Sequence, residues 1–356
     1  MLKKLTVFIP SLYIGGAQRI AIEIANRISD HGENVELLIG SDKKEIFDIV
    51  NPEVSVNFLN SKRTFLSLFR LIKYFKKNSP EVFFSTQPHG TIVAWLASKI
   101  ARWNGKFVAR ETNTLKFGYE RKWSIKEKIV IYLVKKIYTK IDAVIVSSSG
   151  FASELAGNVK IIPNLINISD VISKSNKEIK IKGNFILAVG RLVKQKRFQD
   201  LIKAFSKIEK NYATNLVILG DGPEKKKLIK LTEELKVADK THFLGYDTNP
   251  FKYMSKCDVF VLTSGWEGMP NVLLQAMACG AKIVSTDCKH GPREILKDGK
   301  FGELVSVGNV DEITKAIERC LKNSNKKYSL NDLERFDVAK VINQYKEIFF
   351  KHNIND

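Results

Sequence analysis

One carboxylate and two cations, each set on a glycine-bearing loop, are the side chains best placed for chemistry on a phosphate-bearing ligand. Glu267 sits in Ser264-Gly265-Trp266-Glu267-Gly268-Met269-Pro270-Asn271-Val272, a turn between an apolar run at 259–262 and a helical stretch that stops at Gly280. A carboxylate is costly to bury without a partner, so its presence on such a turn points to ligand binding. The helix opens at Asn271 and Val272, with Pro270 beside its first turn, and helix mouths of this kind attract anions. A second loop, Gly190-Arg191-Leu192-Val193-Lys194-Gln195-Lys196, follows another apolar run. Arg191 supplies a planar fork and Lys196 a point charge, a pair suited to one diphosphate. The combined chemistry is a phosphate cradle with an acid aimed at whatever carries the phosphate.

These loops need strands to end them and helices to follow. Short β-branched or aromatic runs lie at 5–9, 35–39, 82–85, 107–109, 143–146, 160–163, 185–189, 216–219, 241–244, 259–262, 282–285 and 301–305, with helical patterns between most of them. The alternation predicts an α/β protein of two doubly wound parallel sheets. The expected division is a first domain over 1–166, a polar Lys- and Ser-rich linker over 167–184, a second domain over 185–330, and a terminal segment over 331–356 whose helix is amphipathic. Further glycine loops fall at strand ends. Gly15-Gly16-Ala17-Gln18 follows the first strand but lacks the Gly-x-Gly-x-x-Gly spacing of a dinucleotide site. It reads equally as a phosphate loop or a tight turn. Gly220-Asp221-Gly222-Pro223 ends another strand, with Asp221 a candidate helix cap.

The order of these motifs resembles the family 4 retaining glycosyltransferases, which have the GT-B fold. The matching segments are Gly-Gly-Ala-Gln at 15–18, Gly190-Arg191-Leu192 with Lys196, Gly220-Asp221-Gly222-Pro223, Phe243-Leu244-Gly245, and Glu267-Gly268 running to Gln275. The resemblance implies two Rossmann-like domains facing a cleft, with the last helix crossing back to the first domain. It implies that Glu267 bonds donor-sugar hydroxyls, that Arg191 and Lys196 hold the diphosphate, and that Gly15, Gly16, Gly190, Gly222, Phe243, Gly268, Asn271 and Val272 line the donor site. The family carries Glu where this chain has Gln275, the ribose position; Gln keeps the reach and an acceptor but not the charge. Arg197 replaces the common Gly after the lysine. Asp287-Cys288 with Gly291-Pro292-Arg293-Glu294-Ile295 is similar to a branch that includes N-acetylhexosamine transferases of bacterial surface glycans. The implied donor is a UDP-sugar, favouring N-acetylhexosamine or hexose, and the implied acceptor a glycan or lipid-linked saccharide. Glu111 and Asn113, in a segment similar to a Ser-Glu-Arg-Asn variant, and the loop residue His89 are acceptor-side candidates. No Asp-x-Asp pair stands where a metal-bridged diphosphate would need one, so neither metal nor other cofactor is expected.

The charge of the 356-residue chain is +20, and it is uneven. Residues 60–140 hold 18 basic and 4 acidic side chains. Within 62–77, Phe65, Leu68, Phe69, Ile72 and Phe75 share one helical face and Arg63, Arg70, Lys73 and Lys77 another. Such a helix either lies on an anionic membrane surface or packs on a sheet with a solvated basic back. The segment 121–140 is also basic with an apolar middle. These features place the expected protein in the cytoplasm, at the inner face of the membrane. Two rivals remain at this level: a non-catalytic GT-B-like binder of polyanion or membrane, and a nucleic-acid-binding protein. The second lacks a recognition module and keeps its charge away from the phosphate motifs, so nucleic acid is not an expected partner. The four cysteines match no zinc spacing and read as free thiols.

Overall fold

The computed structural model describes residues 4–10, 16–40, 49–61, 66–111, 125–208, 210–323 and 328–351. Gly15, Arg63, Phe65 and Asn113 lie outside the described residues. Among those described, 4–165 and 339–351 form one compact unit and 166–338 another.

The first unit runs β1 (Lys4–Ile9), α1 (Gly16–Asp30), β2 (Asn34–Ile39), β3 (Ser55–Phe58), α2 (Ser67–Asn78), β4 (Val82–Thr86), α3 (Pro88–Ile100), β5 (Lys106–Glu111), α4 (Ile125–Tyr138), β6 (Ala143–Val146), α5 (Ser149–Ala152) and β7 (Val159–Ile161). Its sheet is parallel, in the order β3-β2-β1-β4-β5-β6-β7. The strands are near-continuous apolar runs because helices cover both faces. Neighbouring residues of one strand therefore enter opposite layers. Phe83 packs with Phe8, Phe75 and Phe107 in the layer under α2, α3 and α4. Phe84 points the other way.

The second unit continues with α6 (Ile168–Ser175), β8 (Phe185–Val189), α7 (Phe198–Ile208), β9 (Asn215–Leu219), α8 (Lys225–Glu234), β10 (Thr241–Gly245), α9 (Phe251–Met254), β11 (Val259–Leu262), α10 (Asn271–Ala278), β12 (Ile283–Thr286), α11 (Pro292–Ile295), β13 (Glu303–Val305) and α12 (Val310–Lys322). Its strand order is β10-β9-β8-β11-β12-β13, again parallel. Leu187, Val217 and Phe260 face α6 and α10, while Ile186, Ile218 and Val261 face α7 and α12. Along α7, Phe198, Leu201, Ile202, Phe205 and Ile208 are all buried, each contributing about 1.5–3 kcal/mol by leaving water.

The chain then returns to the first unit through α13 (Val338–Phe350). Val341, Ile342, Tyr345 and Phe349 are its buried stripe, and the rings of Tyr345 and Phe349 stand 6.0 and 5.1 Å from that of Phe84. A buried guanidinium fixes this return. Arg110, 1% exposed at the end of β5, donates from Nε to the Tyr345 hydroxyl at 2.7 Å and from Nη2 to Asn164 Oδ1 at 2.5 Å.

Two local features differ from the sequence reading. The segment 167–184, expected as a linker, contains α6 and packs on the second unit. Asn167 caps α6 by accepting from the Asp170 amide, and Val171, Ile168, Ile179 and Ile181 join the core beneath β8 and β11. Its few apolar residues are spaced over 14 positions, too thinly for a sustained period to show. The strand β3 was also not expected, because Ser-Val-Asn-Phe is too short and polar to signal one; its pairing with β2 supplies the hydrogen bonds that define it.

Candidate functional site

In a doubly wound sheet, ligands bind beyond the carboxyl ends of the strands where the strand order reverses. In the second unit that point lies between β8 and β11, which pair directly. The loop after β8 carries Gly190, Arg191 and Lys196, and the loop after β11 carries Glu267 and Gly268. The two loops are joined. The Gly265 amide donates to the Gln195 carbonyl at 2.8 Å, Gln195 Nε2 to the Trp266 carbonyl at 2.7 Å, and Thr263 Oγ1 to the Lys196 carbonyl at 2.8 Å.

Lys196 and Glu267 meet at the centre of this arrangement. Lys196 Nζ donates to Glu267 Oε1 at 2.5 Å, with the two side chains 17% and 10% exposed. The same carboxylate oxygen accepts from Ser264 Oγ at 2.6 Å. Ser264 is itself fully buried, and its carbonyl accepts from Thr286 Oγ1 at the end of β12. Sequence reasoning missed Ser264; its position three residues before the carboxylate on the same turn was the available signal. Glu267 is thus aimed by a hydroxyl and a cation rather than left bare. Arg191 is exposed, its side chain available to solvent-borne ligands.

The Gly-rich loops serve close backbone approach. Gly220 has φ of +138°, and a Cβ there would collide with the Gly190 carbonyl oxygen; one at Gly222 would collide with the Leu192 backbone. The loops after β8 and β9 can therefore stack only with glycine at these positions. Asp221 does not cap α8. It accepts from the Gly222 amide at 2.7 Å and from Lys225 Nζ, and these bonds, the amide first, hold its carboxyl below the ordinary range. Arg197 has φ of +48°, a left-handed conformation that a glycine would adopt without strain. Its guanidinium Nε donates to Asp200 Oδ2 at 2.6 Å.

The helix α10 begins at Asn271, after Pro270, and places Asn271 and Val272 in its first turn with Gln275 half-buried one turn later. Phe243 is half-buried in β10 and packs its ring toward the layer under α7. Asp287 pairs with Arg293 on α11. Cys288, 3% exposed, lies near the ion pair; burial, reinforced by the Glu267 charge, pushes its thiol up to about 12.

The acceptor-side candidates lie on the first unit. Gly16 opens α1 after β1, and β1 and β4 are the reversal pair of that sheet. His89 is exposed in the first turn of α3, directly after β4. Gln87, which precedes that helix, has φ of +73°, a strained conformation at the reversal point that the sequence did not signal. Glu111 ends β5, is 2% exposed, and accepts from the Tyr138 hydroxyl at 2.7 Å. That carboxylate and burial together raise the Tyr138 hydroxyl above its ordinary pKa, burial first. Among the described residues no three His, Cys, Asp or Glu side chains gather as a metal cage requires.

Comparison with known proteins follows this division. Residues 14–170 match the family described as Glycosyltransferase Family 4, and residues 171–334 match Glycosyl transferases group 1. The chain is 32% identical over 342 residues to the N-acetylgalactosamine-N,N'-diacetylbacillosaminyl-diphospho-undecaprenol 4-alpha-N-acetylgalactosaminyltransferase of Campylobacter jejuni subsp. jejuni serotype O:2, covering 90% of this chain and 91% of that one. It is 25% identical to the lipopolysaccharide core biosynthesis glycosyltransferase LpsE of Rhizobium meliloti, over 87% of each chain. In structure it is similar to Anabaena Alr3699/HepE in complex with UDP, with a TM-score of 0.80 at 20% identity, covering 97% of this chain and 99% of that one.

Proposed function

Because the chain belongs to family 4 of the glycosyltransferases and has their GT-B fold, we propose that it moves a sugar, N-acetylhexosamine or hexose, from a UDP-sugar to a glycan or lipid-linked saccharide during assembly of a bacterial surface polysaccharide. The reading keeps the anomeric configuration and uses no metal. The observation that carries it is the meeting of Lys196 and Glu267 at the reversal point of the second sheet, beside the first turn of α10.

In this reading the second unit binds the donor. The diphosphate draws Lys196 away from Glu267, and Arg191 and the Val272 amide share the negative charge that grows as the sugar leaves. Donors fixed in advance at such a position each contribute about 10²–10³ in rate. Glu267, released from the lysine but still bonded to Ser264, orients sugar hydroxyls. Gln275 accepts from the ribose. The acceptor hydroxyl is the nucleophile, and the acceptor binds the first unit near Gly16, His89 and Glu111. The Campylobacter relative's name specifies a diphospho-undecaprenol acceptor, which supports a lipid-linked saccharide here and a working place at the inner membrane face.

A thermal-shift screen against UDP, GDP, UDP-N-acetylgalactosamine, UDP-N-acetylglucosamine and UDP-glucose tests the donor assignment. A ligand at 100 times its Kd adds about 2.7 kcal/mol to stability, a shift of a few degrees. Stabilisation by UDP and one UDP-sugar, followed by release of UDP on transfer, is expected. Stabilisation by GDP alone, or by no nucleotide, overturns it.

A further inference from the structure

The exposed side of α2, α3 and α4 is unlike the rest of the molecule. These three helices share one layer: Leu71 and Phe75, Val93 and Ala97, and Val134 and Ile137 are their sheet-facing residues. That inward face satisfies the fold. On the outward face stand large apolar side chains that the fold leaves in water, with Phe69 and Ile125 each 77% exposed and Leu66, Ile100, Ile129 and Tyr132 more than half exposed. Lone exposed apolar residues need no explanation, but a group on adjoining helices marks an interaction surface.

Cations are interleaved with these tips. On α2 the positions 66, 69, 73 and 77 fall along one helical stripe, apolar at its start and lysine at its end. On α4 the positions 125, 128, 129, 132 and 136 do the same, and Lys136 Nζ lies 4.6 Å from the Tyr132 ring centroid. The α3–α4 junction is bridged by Lys140, whose Nζ lies 5.8 Å from the Trp95 ring. The three helices carry nine Lys and Arg residues and one carboxylate, Glu127. No helix among the described residues is long and apolar enough to cross a membrane.

We propose that the outward face of α2, α3 and α4 is a docking surface for an anionic lipid bilayer, with Phe69, Ile125 and Ile129 entering the interface and the lysines meeting phosphate headgroups. Charge alone would suit a nucleic acid, whose backbone is held mainly by cations and polar groups. It would leave the apolar tips without a partner. An anionic bilayer offers both chemistries at one depth, headgroup phosphate above acyl chain. The surface joins the two basic segments that the sequence picks out, 62–77 and 121–140, through α3, in a layer that only the fold assembles. It deepens the proposed reaction by naming where the enzyme meets a lipid-linked acceptor, and rests on that reading for its purpose though not for its chemistry.

The test is flotation with vesicles of phosphatidylcholine alone and of phosphatidylcholine with 30 mole per cent phosphatidylglycerol, roughly the anionic content that matters for such binding. Binding to the anionic vesicles only, weakened by salt, is expected. A variant with Lys73, Lys77, Lys128 and Lys136 changed to Ser should lose about fivefold per residue. A second variant, Phe69→Ser with Ile125→Ser and Ile129→Ser, should lose about tenfold or more at unchanged charge. Circular-dichroism melting of both variants within a few degrees of the parent confirms that surface, not fold, was altered. Equal binding to both vesicle types, parent-like binding by the apolar variant, tighter binding to single-stranded DNA, or a dimer in light scattering that the apolar variant abolishes would each overturn the proposal. The UDP melting shift, read on the same samples, tests the reaction separately: vesicle binding without it sinks the transfer reading and leaves the surface standing.

Discussion

A double-mutant cycle on Lys196 and Glu267 separates what the pair does for the fold from what each residue does for the reaction. The variants are Lys196→Met, Glu267→Gln and the two together. In the unliganded protein the charges pair at 2.5 Å with little solvent access. Unit charges about 4 Å apart attract by about 4 kcal/mol at an effective dielectric near 20, and desolvation of both ions offsets much of this. Removing one partner strands the other, so each single variant is expected to lose about 1–3 kcal/mol in urea unfolding, Ser264 still supporting the carboxylate in Lys196→Met. The double variant strands neither charge, so its loss should fall short of the sum by about 1–2 kcal/mol. Transfer rates should behave differently. With donor bound, Lys196 serves the diphosphate and Glu267 the sugar, so each single variant lowers kcat by about 10²–10³ and the two barriers nearly add. Coupled stability with additive barriers is the expected signature. Additive stability would mean that the pair does not form in the folded protein. A fall in kcat under tenfold for either variant would mean that the reacting centre lies elsewhere.

Three further outcomes follow from the same geometry. Gln275→Glu should tighten UDP binding measured by calorimetry, by about fivefold, because a charged acceptor strengthens a hydroxyl bond by roughly 1 kcal/mol; no change would remove the ribose from this position. Tyr345→Phe should cost about 1.5–3 kcal/mol in urea unfolding, since it leaves a buried guanidinium Nε without its acceptor. Cys288 and Cys279, both pushed up to about 12 by burial, should resist iodoacetamide at pH 8 in the folded protein. A raised thiol pKa holds the neutral form, so this protection persists below pH 9 and weakens as pH climbs through 9 toward 12; intact-mass spectrometry with and without urea reads it.

The parts of this site that were legible in the sequence are those governed by local rules. Strand ends followed by Gly190-Arg191, Gly220-Asp221-Gly222 and Ser264 to Gly268 announce backbone turns, and the turns fall where the sheets put them. What was not legible depends on partners far apart in the chain. The separation of 71 positions between Lys196 and Glu267 hides their pairing until β8 and β11 lie side by side. Nothing in the sequence singled out Arg110, yet it is buried because Tyr345, 235 residues away, and Asn164 supply its acceptors. The left-handed backbone at Arg197 and Gln87 was equally invisible, since neither residue type favours it. Over 67–77 the helix is amphipathic as expected, but the face is rotated: Phe75 is inside as read, with Leu68 and Ile72 at its edge, while Leu71 and Tyr74 join it in the core and Phe69 faces out.

The return of α13 to the first unit also sets an order of events during synthesis. Phe84 leaves the ribosome more than 250 residues before Tyr345 and Phe349, the rings that cover it. Until then Phe84 lacks the rings that cover it, and the Arg110 guanidinium has no hydroxyl to donate to. The second unit, contiguous over 166–338, emerges entire within that interval. The nascent chain therefore carries an unfinished first unit while its second one folds, and α13 completes the first unit only after the second has emerged.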